Sequence, residues 1–266
     1  KLLLSCRTQY FKTLHTQIDH FTGQERGGYK PERIEAMVLL PFNEQQVQRY
    51  LQHSLPGINP AQVLEMISSV HDLTDLSKRP YTLKLVTEFI PQLEESYKQG
   101  LSVNGVSLYR MVAQRWLDRD GGKHHIKPEH KLLLASHLAA YLWRQGQRAL
   151  DVSNIEDWLH QWFHERPQLA ARYRNLDADL LEEDLRTATF LSRDDTTQGS
   201  RFRFAHSSLQ EYFLATYLLQ AIAENKPQNW ELSKPSHETL VFLAQLLAEP
   251  ENAPLLAKLN GANYAA

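Results

Sequence analysis

The residues able to do chemistry in this 266-residue sequence are few and scattered: 12 histidines, one cysteine, and 31 acidic against 29 basic side chains. His206 stands out by its setting, Phe204-Ala205-His206-Ser207-Ser208-Leu209-Gln210-Glu211-Tyr212-Phe213-Leu214-Ala215. A histidine at a helix start faces unpaired backbone N–H groups and the positive end of the helix dipole, a setting suited to an anion. The plainer reading is a capping or core histidine. His160 and His164 have the i, i+4 spacing of a metal pair on a helix. Position 161 is Gln rather than the Glu of a zinc-protease motif, and no third ligand is placed, so a solvated face is expected and no metal site is assigned. His124, His125 and His130 lie in a Gly/Lys-rich stretch that reads as surface loop. Cys6 follows an apolar run and reads as inert. No catalytic residue is assigned.

Composition narrows the classes. The net charge of −2 argues against a dedicated binder of nucleic acid or anionic membrane, which carries a basic excess. A single cysteine forms no internal disulfide and excludes a four-cysteine zinc site. The longest apolar stretches, 132–143 and 212–223, are about half a membrane span. The chain opens Lys-Leu-Leu-Leu-Ser-Cys-Arg, without Met, and is expected to be a fragment of a longer protein.

The elements that must position these residues are mostly helical, since Leu, Gln, Ala and Glu dominate and Gly and Pro are sparse. Leu2–Leu4 and Met37–Leu40 read as two buried strands of a parallel sheet, joined by a long surface connection over 8–33. Asn43 caps a first helix, with Val47, Tyr50, Leu51 and Leu55 on one face. Further helices are expected over 60–70, from Pro80 to the breaker Pro91, and over 107–118. The next block has helices over 130–143 and 177–185. Between those two, a capping box formed by Ser153 and Glu156 precedes Trp158 and Trp162. Residues 187–191 and 201–205, either side of a polar turn over 194–200, read as a β-hairpin. An apolar helix from Ser207 to Glu224 follows, then one over 238–248.

Phe-x-His-x-x-x-Gln-Glu-Tyr-x-x-Ala, read from Phe204 to Ala215, resembles the winged-helix signature of NACHT-type signal-transduction NTPases, the relatives of NOD-like receptors. Three other stretches agree in order. Leu2-Leu3-Leu4-Ser5-Cys6-Arg7 looks like the family's sensor-1 strand. Val38-Leu39-Leu40-Pro41-Phe42-Asn43-Glu44 resembles its last nucleotide-domain strand and the entry to the first helical domain. Leu76-Ser77-Lys78-Arg79-Pro80-Tyr81-Thr82-Leu83 is similar to the segment whose proline lies against adenine. The resemblance implies a mainly α chain: a remnant edge of a parallel α/β nucleotide-binding sheet (1–42), a helical-bundle domain (43–122), a winged-helix domain (123–225), and a linker or the start of a repeat region (226–266). It further implies that Arg7 reads a γ-phosphate, Pro80 packs on adenine, and His206 contacts the β-phosphate of ADP.

A Gly-x-x-x-x-Gly-Lys-Ser/Thr phosphate loop is absent from these 266 residues. The resemblance therefore implies ATP or ADP with magnesium held in the full-length protein, a slow NTPase, and no turnover by this chain alone. Its partners would be the upstream nucleotide-binding domain, further copies on activation and a protein trigger, in the cytoplasm and without a membrane. In bacteria the implied setting is defence against phage. The competing readings are a nucleotide-independent helical scaffold and a winged-helix DNA-binding regulator. The last needs a basic recognition helix, whereas Ser207–Glu224 holds no Lys or Arg and the helix before the hairpin carries Glu182, Glu183 and Asp184.

Overall fold

The computed structural model describes residues 10–22, 37, 39–69, 73–98, 105–119, 124–188, 190–196 and 199–261. In chain order these form α1 (Leu14–Thr22), α2 (Glu44–Ser54), α3 (Pro60–Ser69), α4 (Leu73–Ser77), α5 (Pro80–Lys98), α6 (Gly105–Arg119) and α7 (Pro128–Arg144). Then come β1 (Ala149–Asp151), α8 (Val152–His164), α9 (Pro167–Tyr173), α10 (Ala178–Ala188), β2 (Leu191–Thr196) and β3 (Gly199–Phe204). The described chain ends with α11 (Ser207–Ala223), α12 (His237–Leu247) and α13 (Ala253–Gly261). The described residues are mainly helical, with one small sheet among them. No helix among the described residues is long and apolar enough to cross a membrane.

The chain divides into two compact units, each assembled from separated stretches. The first holds residues 10–22 and 124–207, with α1, α7 to α10 and all three strands. Its sheet has the order β1-β3-β2, antiparallel throughout. Leu191 pairs with Phe204, and Phe202 lies between Arg193 and Leu150. Those five side chains are buried, while Ser192, Asp194, Arg201 and Arg203 are not. This is the period-two alternation of a sheet with one face on a core. Opposite it, α8 buries Ile155, Trp158, Leu159 and Trp162 at i, i+3, i+4 and i+7, and α10 adds Leu181 and Leu185. Burying each such side chain contributes about 1.5–3 kcal/mol, so these helices and the sheet hold one another in place.

The second unit holds residues 39–119 and 208–261. Here α2 starts as expected: Asn43 accepts from the Gln46 amide and Gln46 accepts from the Asn43 amide, both at 2.9 Å. Val47 and Leu51 are buried on its inner face. Tyr109, Tyr212 and Phe242 form an aromatic trio with centroids 5.0–5.9 Å apart, and the Tyr109 hydroxyl donates to Ser208 Oγ at 2.6 Å. Eleven of the seventeen α11 residues are buried, so α11 is a core strut rather than a helix offered to a groove.

Several expectations are corrected. The parallel edge is not seen among the described residues: Met37, Leu39 and Leu40 belong to no strand and are 78–96% exposed. An apolar run becomes a strand only where neighbours accept its backbone hydrogen bonds, and the three described strands pair among themselves. Leu2–Leu4, Cys6 and Arg7 lie outside the described residues. The connection over 8–33 contains α1 and the buried Phe11. Pro91 does not end α5; the buried Val86, Phe89 and Ile90 on that helix offset the lost hydrogen bond of an interior proline. Ser153 and Glu156 form no capping box. The helix begins at Val152, without a side-chain cap from Asp151, and Glu156 instead receives Lys12. The first hairpin strand is displaced from 187–191: α10 runs on through Ala188 and β2 covers Leu191–Thr196, where the polar turn was expected, with β3 starting at Gly199.

Candidate functional site

The exit of β3 sets His206. The Ala205 amide donates to the Phe190 carbonyl at 2.7 Å, which fixes the end of the strand, and α11 begins at Ser207. His206 occupies the intervening bend and is 9% exposed. The sequence reading put it at the start of a helix, and it is there, but as a buried residue of the first unit. Pro80 is the first residue of α5 and its ring is exposed. The turn of α5 behind it closes through the Leu83 amide on the Arg79 carbonyl at 2.8 Å. Tyr81 is held by its hydroxyl on the Arg115 carbonyl at 3.0 Å and by an edge contact with Trp116. Pro80 and His206 belong to different units, and Arg7 is outside the described residues.

A cluster of charges in the first unit has no counterpart in the sequence patterns above. Glu156 on α8, with Asp179 and Glu182 on α10, bring carboxylate oxygens within 4.8 Å of one another. The cation among them is the Lys12 ammonium, 2.8 Å from Glu156, 2.9 Å from Glu182 and 3.5 Å from Asp179. Burial pushes that amine down, but its bonds and charge pairing with Glu156 and Glu182 outweigh burial and hold it above its ordinary value. Glu182, almost wholly buried, also receives Arg186 one helical turn along α10. Leu159, His160, Phe163 and Leu181 border the carboxylates in a shallow cleft. The Glu182/Arg186 spacing was visible in the sequence as an i, i+4 pair. The pairing of Lys12 with Glu156, 144 positions away, had no sequence signal.

The histidines expected in a surface loop are partly built into the unit. Asp184 accepts from the His125 amide at 2.5 Å and the Ile126 amide at 2.6 Å, and lies 3.1 Å from His124 Nδ1. Burial pushes the Asp184 carboxyl up, yet the bonds from His124 and the two amides prevail and hold it below its ordinary value. His130 Nδ1 is hydrogen-bonded to the Tyr173 hydroxyl, and burial lowers the pKa of that imidazole. His160 and His164 are exposed, as a solvated face requires.

No family model matches this chain. An uncharacterized WD repeat-containing protein of Nostoc sp. is 23% identical over 229 residues, which cover 81% of this chain and 14% of that protein. The chain thus spans about one-seventh of the length of the curated relative that it matches.

Proposed function

We propose that this chain is the regulatory part of a NACHT-type signal-transduction ATPase, an ADP/ATP-controlled switch for self-association. The observation that carries the reading is His206, buried in the bend between a β-hairpin and an apolar helix and flanked by Phe204, Gln210, Glu211 and Tyr212 as the family's winged-helix signature is. Pro80, heading α5 with an exposed ring, supports it from the other unit. In this reading Arg7 contacts the γ-phosphate, Pro80 the adenine and His206 the β-phosphate of ADP, with magnesium held by an upstream nucleotide-binding domain. The protein works in the cytoplasm, and in bacteria its setting is defence against phage. A relative named for its WD repeats, of which the match covers 14%, fits a switch module carried in a longer protein.

The residues bind and position nucleotide; none of them supplies a nucleophile or a base. The resting state is a two-state element biased by ADP. A nucleotide-independent scaffold is the second reading, supported by the Lys12 cluster, whose ion pairs tie α8 and α10 to the segment before α1. A DNA-binding winged helix is disfavoured: α10, the helix before the hairpin, buries Glu182, Asp184 and Arg186 and offers no basic face for phosphates.

The deciding experiment is nucleotide retention in the complete protein. His206→Ala speeds ADP release and raises basal self-association, measured by nucleotide co-purification and by sedimentation. Unchanged ADP occupancy with unchanged association removes His206 from the site and favours the scaffold.

A further inference from the structure

Within the second unit, helix α6 touches both the turn that carries Pro80 and the start of α11. Toward its C-terminal end, the Arg115 carbonyl accepts from the Tyr81 hydroxyl at 3.0 Å, and the Trp116 ring meets Tyr81 edge-on with centroids 6.3 Å apart. Tyr81 directly follows Pro80. Toward the other end, the Tyr109 hydroxyl donates to Ser208 Oγ at 2.6 Å. Ser208 lies in the first turn of α11, two positions after His206. Tyr109 and Ser208 are 1% and 0% exposed, so water does not compete for their bond. The Tyr109 ring is locked by its contacts with Tyr212 and Phe242.

The helix between these contacts is itself seated. Gln245 on α12 accepts from the Val106 amide at 3.1 Å, one of the four donors that a helix start leaves unpaired. Arg110 pairs with Glu249 at 2.7 Å, and Val112, Trp116 and Leu117 are buried along α6. Tyr109 and Arg115 are separated by about 9 Å of helical rise, and a hydrogen-bonded helix does not stretch. We propose that α6 is a spacer that holds the Pro80 turn and the first turn of α11 at one separation. Tyr81 and Tyr109 are then positioning residues for bound ADP, acting through Pro80 and through the start of α11. The spacer's role rests on the switch reading, in which the residues on either side of it meet the adenine and the β-phosphate. A ligand gripped at two points gains from a fixed span between the grips, because the protein then loses less freedom on binding.

ADP release from the complete protein tests the spacer. Tyr109→Phe keeps the ring against Tyr212 and Phe242 and removes the hydroxyl alone. It is expected to speed release about fivefold, the ordinary worth of one buried hydrogen bond. Ser208→Ala does the same, and the double variant does no more than either. Tyr81→Phe speeds release by less, because water reaches that bond, and adds nothing to Tyr109→Phe, since freeing one end already frees the span. Val63→Ala, a buried truncation on α3 in the same unit, lowers stability and leaves release unchanged, which separates positioning from general loosening. Unchanged release in Tyr109→Phe and Ser208→Ala, in a protein where His206→Ala speeds it, overturns the spacer and spares the switch reading. Additive effects of Tyr109→Phe and Tyr81→Phe, or equal acceleration by Val63→Ala, overturn it as well. A protein that retains no ADP overturns the switch reading and the positioning role together.

Discussion

Asp184 shows how one carboxylate can organise a loop. Its oxygens collect two successive backbone amides just before α7 and a histidine ring. The bonded form is the ionised one, so the folded state titrates below the ordinary value of 3.8. Its contribution to stability is therefore complete above about pH 5 and is lost as pH falls through 3.8 and then through the lower folded value. Asp184→Asn is expected to cost about 1–3 kcal/mol near neutrality and nothing once the carboxyl is protonated in both states. Urea unfolding of parent and variant at pH 7 and at pH 3 checks this; an equal gap at both would refute it. The i, i+4 carboxylate–arginine pair on α10 was legible in the sequence, because helical spacing alone sets it. Neither the Asp184 cradle nor the Lys12 cluster was, because their partners lie 58 or more positions away and only the packed unit brings them together.

Helix endings give the clearest local control. After α7, the Gln147 amide reaches the Leu142 carbonyl at 2.9 Å and the Gly146 amide the Trp143 carbonyl at 3.0 Å, with Gly146 at φ +64°. This is the six-to-one, five-to-two closure that wants a left-handed residue. The end of α11 repeats it: Lys226 donates to Ala221, Asn225 to Ile222, and Asn225 holds φ +56°. Gly146→Ala should cost about 1–2 kcal/mol because its Cβ meets its own backbone, open as the surrounding space is. Asn225→Gly should be neutral or stabilising by under about 1 kcal/mol. The shifts in urea midpoint test both, and a stabilising Gly146→Ala would contradict the closure. Breakers were less dependable than caps. Pro91 looks like a stop, yet α5 carries it, since tertiary burial outweighs the local cost of one hydrogen bond.

For the whole molecule, the proposed regulatory reading makes a prediction about ATP turnover. Without a glycine-lysine phosphate loop anywhere in its 266 residues, the purified chain is expected to release no phosphate from ATP above background. Steady turnover that co-purifies with it would overthrow the assignment of a purely regulatory part. The sequence by itself determined the helical class, the N-cap of α2, the hairpin, the apolar character of α11 and the place of His206 at its start. All of these follow from spacing within a few residues. Tertiary structure decided the rest. It assembled each unit from separated stretches, left Met37, Leu39 and Leu40 exposed, and placed the helix α1 within the expected surface connection. Local spacing specifies which face of an element is apolar. Which carboxylate meets which amine depends on long-range packing, and a residue separation of 144 carries no such information.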